Sequence, residues 1–534
     1  MQVILKDNVF DLILQDAGDR DFWSHISENF YFKNPLIDFY KQMQVMKGWE
    51  MPRIPRQVAM FYYNDNNCPC NIPYGFWPLV AEALKTFPNS IEIKKQYEDP
   101  WRDFKFYPLS RDIDMGRDYE FLRDYQAEVG NELLQYRRAM VKAMTGAGKT
   151  IALCPVVDKL KLQTLILCHK KTLVSQWAKT FQNFFSKKVT TVMESKISKG
   201  DPTIVISTFQ SLLKPLHRKE KTILHGQRST APVYLTEPRN MQYAIKEKKL
   251  KELSEKGIDL SITEALIVDE AHVAPAFSYF NLINSIKPVY LYGCTATPYR
   301  EDGRTYYLTA LFTDRIIEVP FEKVEEHLCI PELIRVNVDQ YLDPDVIDDC
   351  EDLYGADYIK RLCEDPLRFM SVIRTLIEFV SFDKTALVIC GNNMWLVEQV
   401  MIALEREGVP AATIIGDDKE KRRQEVIKAT LARENRVIVS TTAIDEGVDI
   451  PVLDGIFLAV PFDRTIKLIQ RVGRIARKAI GKDKSYIFDF VDKKISKARK
   501  KWANRVRSYR LEFGINGFQT LEYPFDHDDL AKLL

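Results

Sequence analysis

From about residue 115 onward, short apolar runs alternate with amphipathic stretches. "TLILC" leads into "KKTLVSQWAKTFQNFF", and "TIVIS", "ALIVDE" and "PVYLYGCTAT" come after it. After a mixed connector the texture recurs in "ALVIC", "WLVEQVMIALEREG", "AATIIG", "RVIVS", "GIFLAV" and "SYIFDFV". Apolar runs without polar alternation suit strands buried on both faces, and the helix-period stretches between them suit covering helices. The pattern predicts an α/β fold class with two consecutive parallel-sheet domains, 111–328 and 329–492. Residues 1–110 have another texture, rich in aromatics and prolines ("FYFKNPLIDFY", "NIPYGFWPLV"), and are expected to form a small α+β accessory domain. Residues 493–534 read as a basic helix and tail.

Length agrees with several domains, because 534 residues exceed what one hydrophobic core serves. With 46% hydrophobic and 28% charged residues the composition is that of an ordinary globular chain. The formal net charge of +2 excludes a globally basic polyanion binder, so any nucleic-acid surface has to be local. No apolar run reaches the length of a membrane span, and "MQVILKDNVFDLILQDAGDR" carries acids where a signal peptide is basic and then apolar, so a cytoplasmic protein is expected. Several of the nine cysteines lie in strand-like runs and read as reduced core thiols. The close pair Cys68 and Cys70 has no second Cys or His cluster beside it, which argues against zinc.

The chemistry is concentrated in three short stretches. In "AMTGAGKT" (Ala143–Thr150), glycines at 146 and 148 let backbone N–H groups converge on phosphates at a helix N-terminus. Lys149 would reach the β- and γ-phosphates, and the Thr150 hydroxyl would ligate Mg²⁺. In "ALIVDEAH" (Ala265–His272) a buried-strand run ends in two carboxylates. Asp269 can belong to the Mg²⁺ shell while Glu270 orients and deprotonates a water. The pair predicts NTP hydrolysis. "QRVGRIAR" (Gln470–Arg477) spaces Arg471, Arg474 and Arg477 three apart, which on a helix is a solvated face, a nucleic-acid patch or an anion clamp.

Taken with "GCTATP" (Gly293–Pro298) and "STTAIDEGVDIP" (Ser440–Pro451), these stretches resemble, in order and spacing, the motifs of superfamily 2 helicases and translocases. The resemblance covers about residues 115–515 and implies two tandem RecA-like domains with ATP between them. It implies that Gln126 in "FLRDYQ", with Arg123, reads adenine, and that Thr145, Gly146, Ala147, Gly148, Lys149 and Thr150 hold phosphate and metal. His272, Thr295, Thr297 and Glu446 would couple hydrolysis to nucleic-acid grip. Gly447 and Asp449 would sense nucleotide, Gln470, Arg474 and Arg477 would act on it as finger residues, and Arg471 keeps a structural reading. Lys170 in "LCHKKTLVSQW", Thr208 in "VISTFQSL", Thr441 and Arg300 would contact DNA. His169 and Lys170 stand where the family often has proline and threonine, a departure that bears on the local phosphate contacts.

Within the superfamily, "LRDYQ", "TATPYREDG" and "DEGVDIP" resemble the group containing XPB, RecG-like enzymes and the phage helicase UvsW, with Arg300, Glu301 and Asp302 similar to the XPB "RED" element. That likeness implies an ATP- and Mg²⁺-dependent helicase on forked or branched DNA, moving 3′ to 5′, with the first hundred residues helping to grip it. An RNA-directed enzyme and a translocating subunit of a restriction or defence assembly are the alternatives. Two basic segments stay open. The insertion 214–260 is a solvated lobe or a DNA hook. "KKISKARKKWANRVRSYR" (Lys493–Arg510), with nine basic residues, none acidic, and Lys500, Lys501 and Trp502 at its centre, is a single-strand track or an amphipathic helix closing the second domain.

Overall fold

The computed structural model describes residues 1–5, 9–15, 17–33, 57–59, 62–63, 68–70, 72–86, 91–95, 114–144, 146–194, 196–213, 233–234, 247–255, 258–286, 288–300, 304–338, 344–353, 355–416, 418–441, 450–461, 472, 475, 478, 482 and 484–534. They fall into two units, Met1–Ala143 with Gly148–Val319, and Met144–Ala147 with Pro320–Leu534.

The first unit opens with β1 (Gln2–Leu5), β2 (Val9–Ile13), α1 (Ala17–Ser27), β3 (Ile72–Pro73), α2 (Trp77–Leu84) and β4 (Glu92–Lys95). The sheet order is β3-β2-β1-β4, with a β1–β2 hairpin and a parallel β1–β4 pair. Although these residues have their own sheet, they share a unit with a second, larger one. The Arg138 guanidinium lies 5.1 Å from the Tyr74 ring centroid, a cation–π contact between the two segments.

The larger sheet is built from α3 (Asp124–Leu133), β5 (Arg138–Lys142), α4 (Lys149–Leu160), β6 (Thr164–Cys168), α5 (Lys171–Phe185), β7 (Val189–Met193), β8 (Lys196–Ile197), β9 (Asp201–Thr208), β10 (Ala265–Asp269), α6 (Phe277–Ser285), β11 (Tyr290–Thr295), α7 (Thr305–Phe312) and β12 (Ile316–Glu318). Its order is β8-β7-β9-β6-β10-β11-β5-β12, antiparallel only at the β7–β8 edge. Strands β6 and β10 are buried along their whole length, as both-face coverage requires.

The second unit contains β13 (Pro331–Asn337), α8 (Pro366–Ser381), β14 (Ala386–Ile389), α9 (Met394–Arg406), β15 (Ala411–Ile414), α10 (Glu420–Leu431), β16 (Val437–Ser440), β17 (Gly455–Leu458), β18 (Ser485–Val491), α11 (Ser496–Phe513) and β19 (Gln519–Glu522). Its seven strands are all parallel, in the order β15-β16-β14-β17-β18-β13-β19. The α/β class with two parallel sheets is therefore as the hydrophobic pattern predicts.

Two buried ion pairs pin helices to β18. Arg368 on α8 donates through Nε to Asp492 at 2.9 Å and through a terminal nitrogen to the Ala459 carbonyl at 2.8 Å. Arg505 on α11 makes a two-pronged pair with Asp489 at 2.7 and 2.8 Å, and the Tyr509 hydroxyl donates to the same carboxylate at 3.0 Å. This splits the basic stretch by helix phase. Lys497 is spent on the carbonyls of Glu351 and Leu353, and Arg505 is in the core. Arg499, Lys500, Arg507 and Arg510 remain on the exposed face.

Among the described residues no helix is long and apolar enough to cross a membrane, and no group of three or more His, Cys, Asp or Glu could hold a metal ion. All nine cysteines are buried and none is in a disulfide.

Replacing Arg505 by Met leaves Asp489 as a buried charge with only a neutral donor, and is expected to destabilise the second unit by about 3–5 kcal/mol. Lys500→Ala, on the exposed face, is expected to leave stability unchanged. Urea unfolding of the two variants checks the contrast.

Candidate functional site

Parallel pairing sets the site. Along β10, β11 and β5, Asp269 pairs with Cys294 and Thr295 pairs with Lys142, so the loops leaving all three strands open on one sheet edge. Ligands of open α/β sheets bind outside the carboxyl ends of the strands. Onto this edge the chain delivers the turn into α4 after β5, the acid pair after β10, and Thr295–Thr297 after β11.

The turn into α4 is glycine-dependent at two places. Gly146 and Gly148 have φ of +94° and +76°, values that disfavour any side chain. A Cβ on Gly148 would also sit 2.4 Å from the Gln126 Nε2 atom. Gln126 itself is buried and accepts the Arg123 backbone N–H through Oε1 at 3.1 Å, which fixes it against the phosphate loop. Lys149 opens α4 and donates to the Ala143 carbonyl at 3.1 Å, and Thr150 comes next on the same first turn. The glycine turn at the start of α4, with Gly146 and Gly148 at positive φ, and the hard oxygen donors of Thr150 and Asp269 are of the types that fit a phosphate chain with Mg²⁺.

The acids are held differently. Asp269 ends β10, and its Oδ1 accepts the Glu270 backbone N–H at 2.9 Å and the Cys294 thiol at 3.3 Å, while Oδ2 accepts the Trp177 indole N–H at 2.8 Å. Burial and the neighbouring Glu270 charge push Asp269 above the usual carboxylate range, against the pull of the indole and of Lys149. Glu270 sits in the left-handed region at φ 52°, ψ 55°, a conformation that costs an L-residue roughly 1–2 kcal/mol. Burial alone would raise Glu270, but the Lys149 ammonium and His272 hold it down to about 2, so it is ionised at neutral pH.

His272 links the acids to β11. Its Nδ1 lies 3.2 Å from Glu270 Oε2 and 3.0 Å from the Thr295 hydroxyl. The Thr297 backbone N–H donates to that hydroxyl at 3.1 Å, so Glu270, His272, Thr295 and Thr297 form one chain of contacts. Arg300 donates to the His272 carbonyl and its backbone N–H donates to the Thr305 hydroxyl, so it faces the acid loop.

Of the residues given nucleic-acid roles, Lys170 immediately precedes α5 and is half-buried. Thr208 is buried at the end of β9, its hydroxyl capping the next short turn by accepting from the Ser211 backbone N–H. Thr208 pairs in register with Cys168, two residues before Lys170. Thr441 is buried at the end of β16. Lys500 is exposed, whereas Lys501 lies 4.4 Å from the Tyr358 ring centroid and Trp502 packs edge-on against Phe518. Part of the expected track is therefore packing. Thr145, Glu301, Asp302, Glu446, Gly447, Asp449, Gln470, Arg471, Arg474 and Arg477, with most of the insertion 214–260, lie outside the described residues.

Sequence reasoning missed Trp177 and Cys294 as partners of Asp269. A signal existed for Trp177, because a large residue on the apolar face of a covering helix brings an indole N–H that needs an acceptor once buried.

Residues 120–300 match a family model described as the type III restriction enzyme res subunit, and residues 370–479 match the helicase conserved C-terminal domain. The two together span more than half of the chain. The chain is 26% identical over 420 residues to putative helicase 22 of Sulfolobus islandicus filamentous virus, covering 73% of this chain and 67% of that one. It is 23% identical over 429 residues to the DNA 3'-5' translocase XPB2 of Sulfurisphaera tokodaii, covering 71% and 86%. Among solved structures, that of Saccharomyces cerevisiae Dbp5 bound to RNA and ADP BeF3 superposes with a TM-score of 0.50 at 15% identity, covering 81% of this chain and 97% of that one, which supports the tandem RecA-like fold. A phosphate cradle and an acid pair on one sheet edge, within a chain more than half of which the two family models match, make this an ATP-hydrolysing helicase or translocase of superfamily 2.

Proposed function

We propose that this protein is an ATP-driven DNA translocase and helicase that works on forked or branched DNA. The observation that carries the reading is the convergence of Lys149, Asp269, Glu270, His272 and Thr295 on one sheet edge, in a chain with a relative named as a DNA 3'-5' translocase.

Mg²⁺, which Thr150 and Asp269 would hold, supplies charge neutralisation on the terminal phosphates when bound. The protein's own groups do the rest. Backbone N–H groups of Gly146–Thr150 and the N-terminus of α4 bind phosphate, and Lys149 moves from the Ala143 carbonyl to it. Glu270 accepts a hydrogen bond from the attacking water and then its proton. Lys149 is the largest of the charges holding Glu270 ionised, so transferring that ammonium to a phosphate raises the basicity of Glu270 when nucleotide is in place. His272 passes the state of Glu270 to Thr295 and Thr297. Arg474 and Arg477 keep the finger role implied by the resemblance.

On the nucleic-acid side, Lys170 and the exposed face of α11 offer charge to phosphates without base-reading groups, so affinity without sequence preference is expected. The match to the restriction-enzyme subunit supports a second reading, a translocating subunit that works with a nuclease partner. Co-purification of a nuclease with the native protein would favour it.

Three outcomes test the proposal. Lys149→Ala and Glu270→Gln are each expected to lower ATP turnover by at least about 10²-fold while the protein stays folded, measured by steady-state phosphate release. Stimulation of ATP turnover is expected to rank forked DNA and single-stranded DNA above RNA, and stimulation by RNA alone overturns the DNA reading. Alanine at Arg499, Lys500, Arg507 and Arg510 together is expected to flatten the plot of log affinity against log salt by roughly 0.7–0.9 for each phosphate contact removed, with binding followed by fluorescence anisotropy at several salt concentrations.

A further inference from the structure

Trp177 belongs to none of the groups assigned to phosphate, metal, water or nucleic acid, yet it touches the acid pair. It lies in the middle of α5, whose face of Val174, Trp177 and Phe181 is fully buried. Its indole N–H reaches Asp269 Oδ2 at 2.8 Å across 92 positions of sequence. The carboxylate of Asp269 is thus fixed by donors from three elements, namely α5, its own strand end and β11. These donors are unequal. The Glu270 N–H belongs to the adjoining peptide and travels with Asp269, and a thiol is a weak donor. The indole is the one strong donor of the three that comes from another element. The terminal torsion of an aspartate is broad and soft, so an outside donor decides where its oxygens point.

We propose that Trp177 is a positioning residue for ATP hydrolysis. Its indole N–H orients the Asp269 carboxylate for the metal shell, and it makes that orientation depend on the placement of α5, the helix that starts at Lys170 and Lys171. The inference rests on reading Asp269 as a metal-shell carboxylate. A hydrogen bond to a charged group, once lost, leaves the acceptor to reorient, and the cost is large enough to be read kinetically.

The test uses the full chain, comparing wild type, W177F and D269N by ATP turnover across a Mg²⁺ titration, with thermal melting alongside. W177F keeps an aromatic ring but removes the donor. It is expected to lower kcat about tenfold and to raise the Mg²⁺ concentration for half-maximal activity several-fold, with a smaller change in KM for ATP. The Mg²⁺ midpoint is independent of the fraction of folded protein, so it separates orientation from packing. A W177F protein that melts earlier but keeps the wild-type Mg²⁺ midpoint, beside an inactive D269N, overturns the inference and leaves the reading of the acid pair standing. D269N turning over ATP at the wild-type rate overturns that reading itself.

Discussion

Two adjacent carboxylates at the end of a buried strand repel each other where water cannot screen them, and much of the first unit's architecture compensates that repulsion. Asp269 is satisfied by three donors and Glu270 by proximity to Lys149 and His272. The backbone at Glu270 is held in the left-handed region between them. Three of the compensating groups, Trp177, Cys294 and Lys149, come from α5, β11 and α4, so the acids can sit together only when β10 and β11 are in register and α4 and α5 are docked on the sheet. The fold and the site are in this sense one constraint: a slipped strand or an undocked helix leaves an uncompensated charge indoors.

The second unit uses the same device for a different end. Asp489 and Asp492, near and just beyond the end of β18, are buried and held by Arg505 and Arg368. Their guanidinium partners, and the Tyr509 hydroxyl on Asp489, come from the covering helices α11 and α8. Here paired charge locks helices to a sheet. Charge that is paired by arginine inside one helix face leaves the opposite face of α11 free to be basic toward solvent, which is how one stretch serves both packing and polyanion attraction.

Much of this was legible in the sequence because it is local. The runs "TLILC", "ALIVDE", "ALVIC" and "SYIFDFV" are strands, and the stretches between them helices, since burial on both sheet faces leaves a direct hydrophobic signature. The turn "TGAGKT" and the acid pair announce themselves by residue type at fixed spacing. What was hidden is long-range pairing. Nothing local to Trp177 says that its N–H meets a carboxylate 92 positions away, and the nine basic residues from Lys493 to Arg510 cannot be sorted into Arg505 inside and Arg507 outside until Asp489 is placed beneath the helix. Arg300 is similar: its charge suggested a polynucleotide contact, and only the path of the chain shows it donating to the His272 carbonyl.

The all-parallel order of the second sheet carries a cost in time. Strand β13 is made first, yet both its neighbours, β18 and β19, are made last, with Pro331 paired to Ser485 and Ile334 to Gln519. At roughly 5–20 residues per second of synthesis, "PELIRVN" spends on the order of ten to thirty seconds outside the ribosome before a partner strand exists. A strand with both edges open for that long is a pairing template for other chains. Strand β5 of the first unit waits as long for its neighbours β11 and β12, so each half of this protein passes through the same aggregation-exposed interval during its birth.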